Sequence, residues 1–151
     1  MLALQVWFLA GAIGLPGGAA AAESSAAAAP GGVRAVFEAI ETAWSEGNAR
    51  ALAQHLGHHA VSISLADSGP SGRFSHDQAT LILERLFAAT RTHTFRFTGV
   101  RDPGKDGRVA VGLAERAARD RGEGRVVQDR VLVTLVPEDG RWVVSEIQAL
   151  R

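Results

Sequence analysis

Five polar residues of the C-terminal half are spaced so that their side chains could do chemistry together. They are His93, Glu115, Asp129, Glu146 and Gln148. Each lies in a segment where apolar and polar residues alternate, a pattern that predicts a half-buried strand. Turn residues between these segments predict a meander in which the five side chains share one sheet face with apolar neighbours. A histidine in such surroundings exchanges protons near neutral pH, and a neighbouring carboxylate can orient it.

The chemical hypothesis is an acid–base pair in which His93 transfers the proton and Asp129 or Glu115 orients the imidazole ring. Such a pair would suit a lyase, an isomerase or a hydrolase. The competing interpretation is structural, because Glu115 and Asp129 are each followed by an arginine and would form solvated ion pairs near a turn. A register error of one residue would move every side chain of a strand to the other face, so the hypothesis depends on the turns.

The turns give an expected register for the sheet. Asp139-Gly140 is a strong two-residue hairpin signal, which places Leu135 opposite Val144. By the same count Glu146 lies opposite Val133. With further turns centred on residues 105 and 122, the core-facing surface is expected to carry Phe95, Phe97, Val109, Val111, Leu113, Val131, Val133, Leu135 and Val144. The outer surface is expected to carry Arg96, Ala110, Gly112, Arg116, Gln128, Arg130, Thr134 and Ser145.

The core-facing surface predicted in this way is an apolar cup with a few polar groups, the usual composition of a small-molecule site. The side chains expected to line it are Phe37, Trp44, Phe95, Phe97, Glu146 and Gln148. Glu146 is the residue that structure alone explains least, because it lies in mid-strand between apolar neighbours. The expected occupant is a small hydrophobic or amphipathic ligand or a protein partner, and no cofactor is expected.

Three helices are predicted before the meander. The first has an apolar stripe at helical spacing, formed by Val33, Val36, Phe37, Ile40 and Trp44. Asn48 is placed to cap a second, short helix, and Ser75 with Gln78 forms a capping box at the start of a third. A short alternating strand at 61–65 and a polar loop separate the second helix from the third. Helices followed by a run of strands predict a segregated α+β fold.

The composition argues against several classes of function. The chain has 151 residues, the size of one domain, and its 16 basic residues equal its 16 acidic ones. This balance, with acidic residues interleaved among the arginines, argues against nucleic-acid binding. The chain has no cysteine, which removes disulfides and thiolate metal sites. His55 and His59 are spaced like helical metal ligands, but Gly57 breaks the helix between them, so no metal site is expected.

The N-terminal residues suggest export. Residues 1–22 carry no charged side chain, and their apolar run fits a signal peptide but is too short for a stable membrane span. We expect a signal peptide over 1–22, an Ala/Gly/Ser-rich spacer over 23–32 and one folded domain over 33–151. The domain would then be secreted or periplasmic. An Ala/Gly-rich tail is the alternative, because no lysine or arginine follows Met1.

The order of elements resembles the nuclear transport factor 2-like superfamily, in which a curved sheet wraps helices into a cone. The segments SEGNARALAQHL, FSHDQATLILERLF, HTFRFTGV and DRVLVTLVPEDGRWVVSEIQAL resemble a bacterial domain of unknown function, family 4783. The resemblance covers about residues 33–150 and implies three helices packed on a curved, mostly antiparallel sheet. It implies no established activity. It does leave open a structural homodimer that pairs through the outer sheet face, a common use of this fold.

The first prediction concerns processing. The uncharged apolar start and the alanines at 19–22 predict cleavage near Ala22, before Glu23. N-terminal sequencing of protein recovered from the cell envelope or the medium should begin at or near Glu23. A soluble cytoplasmic product that retains Met1 would contradict the prediction.

Overall fold

The computed structural model describes residues 30–65 and 69–150, which form three helices and six strands. The helices are α1 (Pro30–Ser45), α2 (Ala49–Ala53) and α3 (His76–Ala89). The strands are β1 (Val61–Ser64), β2 (Gly72–Phe74), β3 (Thr90–Arg101), β4 (Ala110–Asp120), β5 (Val126–Glu138) and β6 (Arg141–Leu150). None of the described helices is long and apolar enough to cross a membrane.

The predicted signal peptide, and residues 23–29 of the predicted spacer, lie outside the described residues. α1 begins at Pro30, so the last three residues of that spacer belong to the helix instead. Proline is well tolerated in the first turn of a helix, where its missing N–H has no intrahelical partner.

Local capping and turn signals determine where several elements begin and end. The side chain of Asn48 accepts a hydrogen bond from the backbone N–H of Ala51 (3.0 Å) at the start of α2. Ser75 and Gln78 form the predicted capping box of α3. Between β5 and β6, residues 139 and 140 have φ angles of 50° and 77°, the left-handed values that a type I′ turn requires. All three local predictions are confirmed.

The six strands form one sheet in the order β2-β1-β6-β5-β4-β3. All neighbouring strands are antiparallel except β1 and β6, which are parallel. This arrangement confirms the predicted α+β fold with a mostly antiparallel sheet. β2 was not predicted, because a three-residue strand with a single apolar side chain shows no measurable alternation.

A β-bulge in the β5–β6 hairpin changes the predicted register of β6. The pairing nearest the turn is as predicted, but a shift between Thr134 and Leu135 inserts Ser145 into β6. Thr134 therefore lies opposite Glu146. Glu146 and Gln148 consequently lie on the outer face of the sheet, and their prediction as core-facing residues is wrong.

The set of β4 side chains that faces the core is also the opposite of the predicted set. Arg119 lies opposite Val126, so the β4–β5 connection is one residue longer than a turn centred on Gly122. The side chain of Asp120 accepts hydrogen bonds from the N–H groups of Gly122 and Glu123 (2.7 Å each), which stabilises this longer loop. The buried residues of β4 are Ala110, Gly112, Ala114, Arg116 and Ala118. The predicted core-facing residues Val111 and Leu113 are half-buried on the outer face.

Aromatic side chains from α1, α3 and β3 fill the interior of the cone. Trp44 stacks on Phe95, with ring centroids 4.4 Å apart, and meets Phe87 edge-on at 5.6 Å. Phe37 meets Phe97 edge-on at 4.8 Å. The core-facing positions of Phe95 and Phe97 are thus confirmed. Because the rings contact one another, they occupy the space in which a ligand cup was expected.

α1 also covers the edge of the sheet. β3 is an edge strand, and its backbone N–H at Phe97 donates to the carboxylate of Glu41 (2.8 Å). The hydroxyl of Ser45 donates to the carbonyl oxygen of Phe95 (3.3 Å). An uncovered edge strand invites pairing with other chains, and these two contacts occupy part of that edge.

The second prediction tests how tightly the interior is filled. A Cβ atom at Gly112 would lie 2.5 Å from the ring of Phe37 and 2.7 Å from that of Phe97. We expect Gly112→Ala to lower the free energy of unfolding by about 1–3 kcal/mol, because both packed rings must move. Chemical denaturation measures the change.

The matched control is Gly99→Ala on β3, where an added Cβ meets nothing within 4 Å. We expect the control to change the free energy of unfolding by less than about 1 kcal/mol. Equally small effects of both substitutions would show that the rings leave room for a methyl group.

Candidate functional site

Arg116 is the one charged residue that is buried among the described residues, with 5% of its surface exposed. Its Nε donates to Oδ1 of Asp129 at 2.7 Å, and its Nη2 donates to Oδ2 at 2.5 Å. The side chain of Asp129 is 13% exposed. This two-point ion pair joins β4 to β5 on the inner face of the sheet, where the residues on either side of it along β4, Ala114 and Ala118, are small.

A groove of about 840 Å³ lies beside this ion pair, at the end of the sheet where the pairing of β6 with β5 stops at Leu150. Its lining residues are Thr94, Glu115, Arg116, Ala117, Val127, Gln128, Asp129, Arg130, Ala149 and Leu150. Cross-strand pairing arranges the outer-face members in two rows. One row is Thr94, Ala117 and Gln128, and the next is Glu115, Arg130 and Leu150.

The lining of the groove is mixed in polarity and balanced in charge. Two guanidinium groups, of Arg116 and Arg130, are matched by two carboxylates, of Glu115 and Asp129. Alanine, valine and leucine side chains supply the apolar part, and a hydroxyl and an amide add uncharged hydrogen-bonding groups. A volume of this size with apolar walls and a few polar groups is typical of small-molecule sites.

The structure does not bring together the proposed acid–base residues. His93 is exposed and lies at a bulge of β3, between Thr92 and Thr94. Asp129 is bound to Arg116 on the inner face, whereas Glu115 lies on the outer face. Within the described residues no hydrogen bond joins His93 to either carboxylate. The expectation that the three share one face is wrong, and their catalytic role stays a prediction without geometric support.

None of the six residues predicted to line a ligand cup lines this groove. Phe37, Trp44 and Phe95 are buried in the core, and Phe97 is half-buried beside them. A smaller groove, of about 300 Å³ between α1 and β3, does include Phe37 and Phe97 in its wall. Their predicted contact with a ligand is untested.

Glu146 and Gln148 lie on the outer face, away from the interior. The carboxylate of Glu146 accepts a hydrogen bond from the hydroxyl of Thr134 (3.2 Å). Gln148 lies opposite Leu132. The partner of Glu146 explains why a carboxylate is tolerated in mid-strand, since a half-buried acid is stabilised by a donor on the neighbouring strand.

Sequence reasoning identified Glu115 and Asp129 but missed Arg116, Arg130 and Gln128 as parts of one site. The sequence of β4 does contain a pattern that indicates the inward position of Arg116. Small residues occur at every second position of β4, and Arg116 is in phase with them. Small residues in alternation are what a strand needs when large rings pack against it, so this phase would have placed Arg116 inside.

The described residues contain no group of three or more histidine, aspartate or glutamate side chains arranged to hold a metal ion. A carboxylate with a shifted pKa does occur outside the groove. Hydrogen bonds from the backbone of Glu123 and then Gly122 lower the pKa of the Asp120 carboxyl group. This shift belongs to the turn that connects β4 and β5 and not to a reactive site.

Comparison with solved structures gives matches at low sequence identity. A DUF4783 family protein from Bacteroides ovatus is 18% identical, with a TM-score of 0.59 over 74% of this chain and 90% of its own. A second, from Bacteroides uniformis, is 15% identical, with a TM-score of 0.62 over 74% and 93%. A domain of unknown function with a cystatin-like fold, from Nostoc punctiforme, is 14% identical, with a TM-score of 0.59 over 79% and 74%.

These likenesses establish the fold and carry no activity. No curated protein sequence matches the chain. The model of one family, described as a domain of unknown function (DUF4783), matches residues 37–149, which include five strands, all but the last residue of β6, two helices and more than half of α1. The chain therefore belongs to the DUF4783 family and has the nuclear transport factor 2-like, cone-shaped α+β fold.

Proposed function

We propose that the protein is an exported binding domain that holds a small, uncharged amphipathic molecule in the groove beside Arg116 and Asp129. The observation that carries the proposal is the position of this buried ion pair, which forms part of the wall of an 840 Å³ groove. The uncharged apolar segment at 1–22 supports the exported location.

A buried ion pair needs an explanation other than stability. Removing a guanidinium and a carboxylate from water costs several kcal/mol per ion, and apolar residues of similar volume often stabilise a fold as well or better. The inner-face neighbours of Arg116 on β3 and β4 are the apolar residues Phe95, Ala114 and Ala118, so an apolar side chain would satisfy the packing on that face. A polar pair in the wall of a groove favours a binding role, since polar groups fix the orientation of a ligand.

The chemistry of the lining favours an uncharged ligand. Because the two arginines and two carboxylates of the wall cancel, a charged ligand would meet no net attraction to offset the loss of its hydration. The hydroxyl of Thr94 and the amide of Gln128 can donate to and accept from a polar end group. Ala117, Ala149 and Leu150 offer apolar contacts to the remainder of the molecule. The ligand is therefore amphipathic in this proposal.

Self-association is the second candidate, and the apolar part of the outer sheet face favours it. Val111, Leu113, Leu132 and Val136 are half-buried on this face although the helices pack on the other one. A two-fold axis would place the same surface of a second copy against it, which is the commonest way that soluble proteins pair. Such a homodimer would also cover the groove, whose two outer rows belong to the same face. Native mass distinguishes a dimer from a monomer with bound ligand.

The third prediction tests the groove directly. Native mass spectrometry of the purified mature protein should show a carried-over small molecule. Ala117→Trp, which fills the groove, should lose it. The same substitution should weaken the binding of Nile red, a neutral amphipathic probe, by about tenfold or more. Ala88→Trp, on the exposed surface of α3, is the matched control and should bind the probe like the unaltered protein. Equal binding by all three proteins would rule out this groove as the site.

The fourth prediction concerns the ion pair itself. Asp129→Asn leaves the guanidinium of Arg116 buried without a counter-charge, so we expect the free energy of unfolding to fall by about 3–5 kcal/mol. The double variant Arg116→Met with Asp129→Leu removes both charges and should be at least as stable as the unaltered protein. Chemical denaturation measures both changes.

The double variant also separates binding from folding. If it folds and no longer binds Nile red, the pair serves the ligand. If it folds and binds the probe unchanged, the pair has no part in binding. A loss below about 1 kcal/mol for Asp129→Asn would show that Arg116 finds another partner or reaches water.

A further inference from the structure

The segment that connects α2 to β1, residues 54–60, is fastened to the β5–β6 hairpin by backbone and side-chain contacts. The N–H of Gly57 donates to the carbonyl oxygen of Val144 (3.0 Å). The N–H of Val144 donates in turn to the carbonyl oxygen of His55 (2.7 Å). Beside these bonds, the N–H of His58 donates to Oε1 of Glu138 at 2.8 Å. The segment thus extends the sheet for one bridge beyond β1.

The side chain of His58 completes this attachment. Its Nε2 atom lies 2.7 Å from Nη2 of Arg141, on the other strand of the hairpin. A guanidinium has only donors, so Nε2 must accept, and the imidazole ring must be neutral with its proton on Nδ1. Protonation would put a second N–H on the line between the two atoms. The hydrogen bond would be lost and two cations would face each other at contact distance.

We propose that His58 is a proton-sensitive latch, which holds the α2–β1 connection on the β5–β6 hairpin while its ring is neutral and releases it when the ring is protonated. Histidine is the side chain whose unperturbed charge change falls between about pH 5 and about pH 8, so a contact of this kind can respond to physiological changes of pH. An exported protein meets larger changes of pH than a cytoplasmic one. The inference does not depend on the ligand groove, which lies among other residues.

The other charged and titratable groups around His58 come from two directions. From α3, the ring of His76 stacks on that of His58, with centroids 5.7 Å apart and planes 25° from parallel. Nε2 of His76 bonds to the carbonyl oxygen of Ala53 (3.1 Å), and its Nδ1 lies 3.4 Å from Asp77. Two stacked imidazoles repel each other when both are protonated, so a charge on either ring opposes a charge on the other.

From the hairpin, Glu138 opposes release and Arg141 promotes it. The Glu138 carboxylate bonds to the backbone N–H of His58, whereas the Arg141 guanidinium bonds directly to the titrating ring nitrogen. Because Arg141 contacts the ring nitrogen itself, protonation of the ring places two positive charges next to each other.

A second histidine in the same segment responds to protons in the same direction. Burial, and then the positive charge of Arg141, lower the pKa of His55. A histidine with a lowered folded-state pKa stabilises the fold fully above its unfolded value of about 6.5, and that contribution is lost as the pH falls through the folded value. In this proposal, protonation of either His55 or His58 therefore weakens the attachment of residues 54–60 to the β5–β6 hairpin. Release would widen the groove of about 450 Å³ whose wall includes Gly57 and Val143.

Amide hydrogen exchange measured by NMR tests the latch. In the unaltered protein, protection of the Gly57 and His58 amides, corrected for intrinsic exchange rates, should fall about tenfold or more between about pH 7.5 and about pH 5.5. The ¹⁵N shifts of the His58 ring, recorded at the same pH values, report whether the loss of protection follows protonation of that ring. His58→Gln retains an acceptor for Arg141 but has no titratable group, so its protection should fall clearly less on acidification than that of the unaltered protein.

The controls identify which group titrates. His59→Gln, at an exposed neighbouring position, should show the same loss of protection as the unaltered protein. If His58→Gln loses protection on acidification as the unaltered protein does, another group such as His55 titrates and the proposal is wrong. Unchanged or increased protection of the unaltered protein at about pH 5.5 would mean that Glu138 holds the protonated ring, which also overturns it.

Discussion

The close approach of aromatic rings to the backbone of β4 is the constraint on which the rest of the structure depends. Phe37 from α1 and Phe97 from β3 meet over Gly112, where even one methyl group would collide with both rings. A strand that lies under rings in this way must carry small residues at alternate positions. Ala110 and Ala114 meet that requirement on either side, and the phase of β4 is thereby fixed. The larger valine and leucine residues of the strand must then point outward, against the usual preference of large apolar side chains for the interior.

The same phase accounts for the buried charge. Arg116 follows Ala114 by two residues, so the alternation of the strand places its side chain on the inner face as well. A guanidinium there must find a carboxylate, because a buried ion without a partner is far more costly than a paired one. Asp129 is directly opposite on β5 and satisfies it with two hydrogen bonds. The packing of the cone and the charge pair at its end are therefore consequences of one register and not independent features.

Much of the fold could be predicted from the sequence because its signals are local and have a steric cause. A side chain at Asn48 or Ser75 caps the helix that follows it regardless of the tertiary structure, and Asp139-Gly140 supports a tight hairpin by itself. The site could not be predicted in the same way, because it depends on register over four strands. Ser145 is one inserted residue in β6, and the β4–β5 connection at 121–125 is one residue longer than predicted. These two differences exchange the core-facing and outward-facing side chains of β6 and β4 relative to the prediction. Hydrophobicity alone predicts the wrong face of β4, because valine and leucine are more hydrophobic than alanine. The space under the aromatic rings admits only small side chains, so the alanines lie inside.

Because aromatic rings fill the interior of the cone, a ligand would have to bind outside it. When aromatic rings contact one another across the cone, the remaining concave surface lies where strands lose their neighbours. β5 pairs with β6 only from Arg130 onward, while it pairs with β4 as far as Val126. The groove occupies this step in the sheet, and its wall combines inner-face and outer-face residues of β3, β4 and β5 beside the last described residue of β6. The polar groups gather at the same step because the rings leave no room for them further inside. Among the described residues, differences in the lengths of neighbouring strands, and not the depth of the cone, therefore create the concave surface to which the proposed binding of a small molecule is assigned.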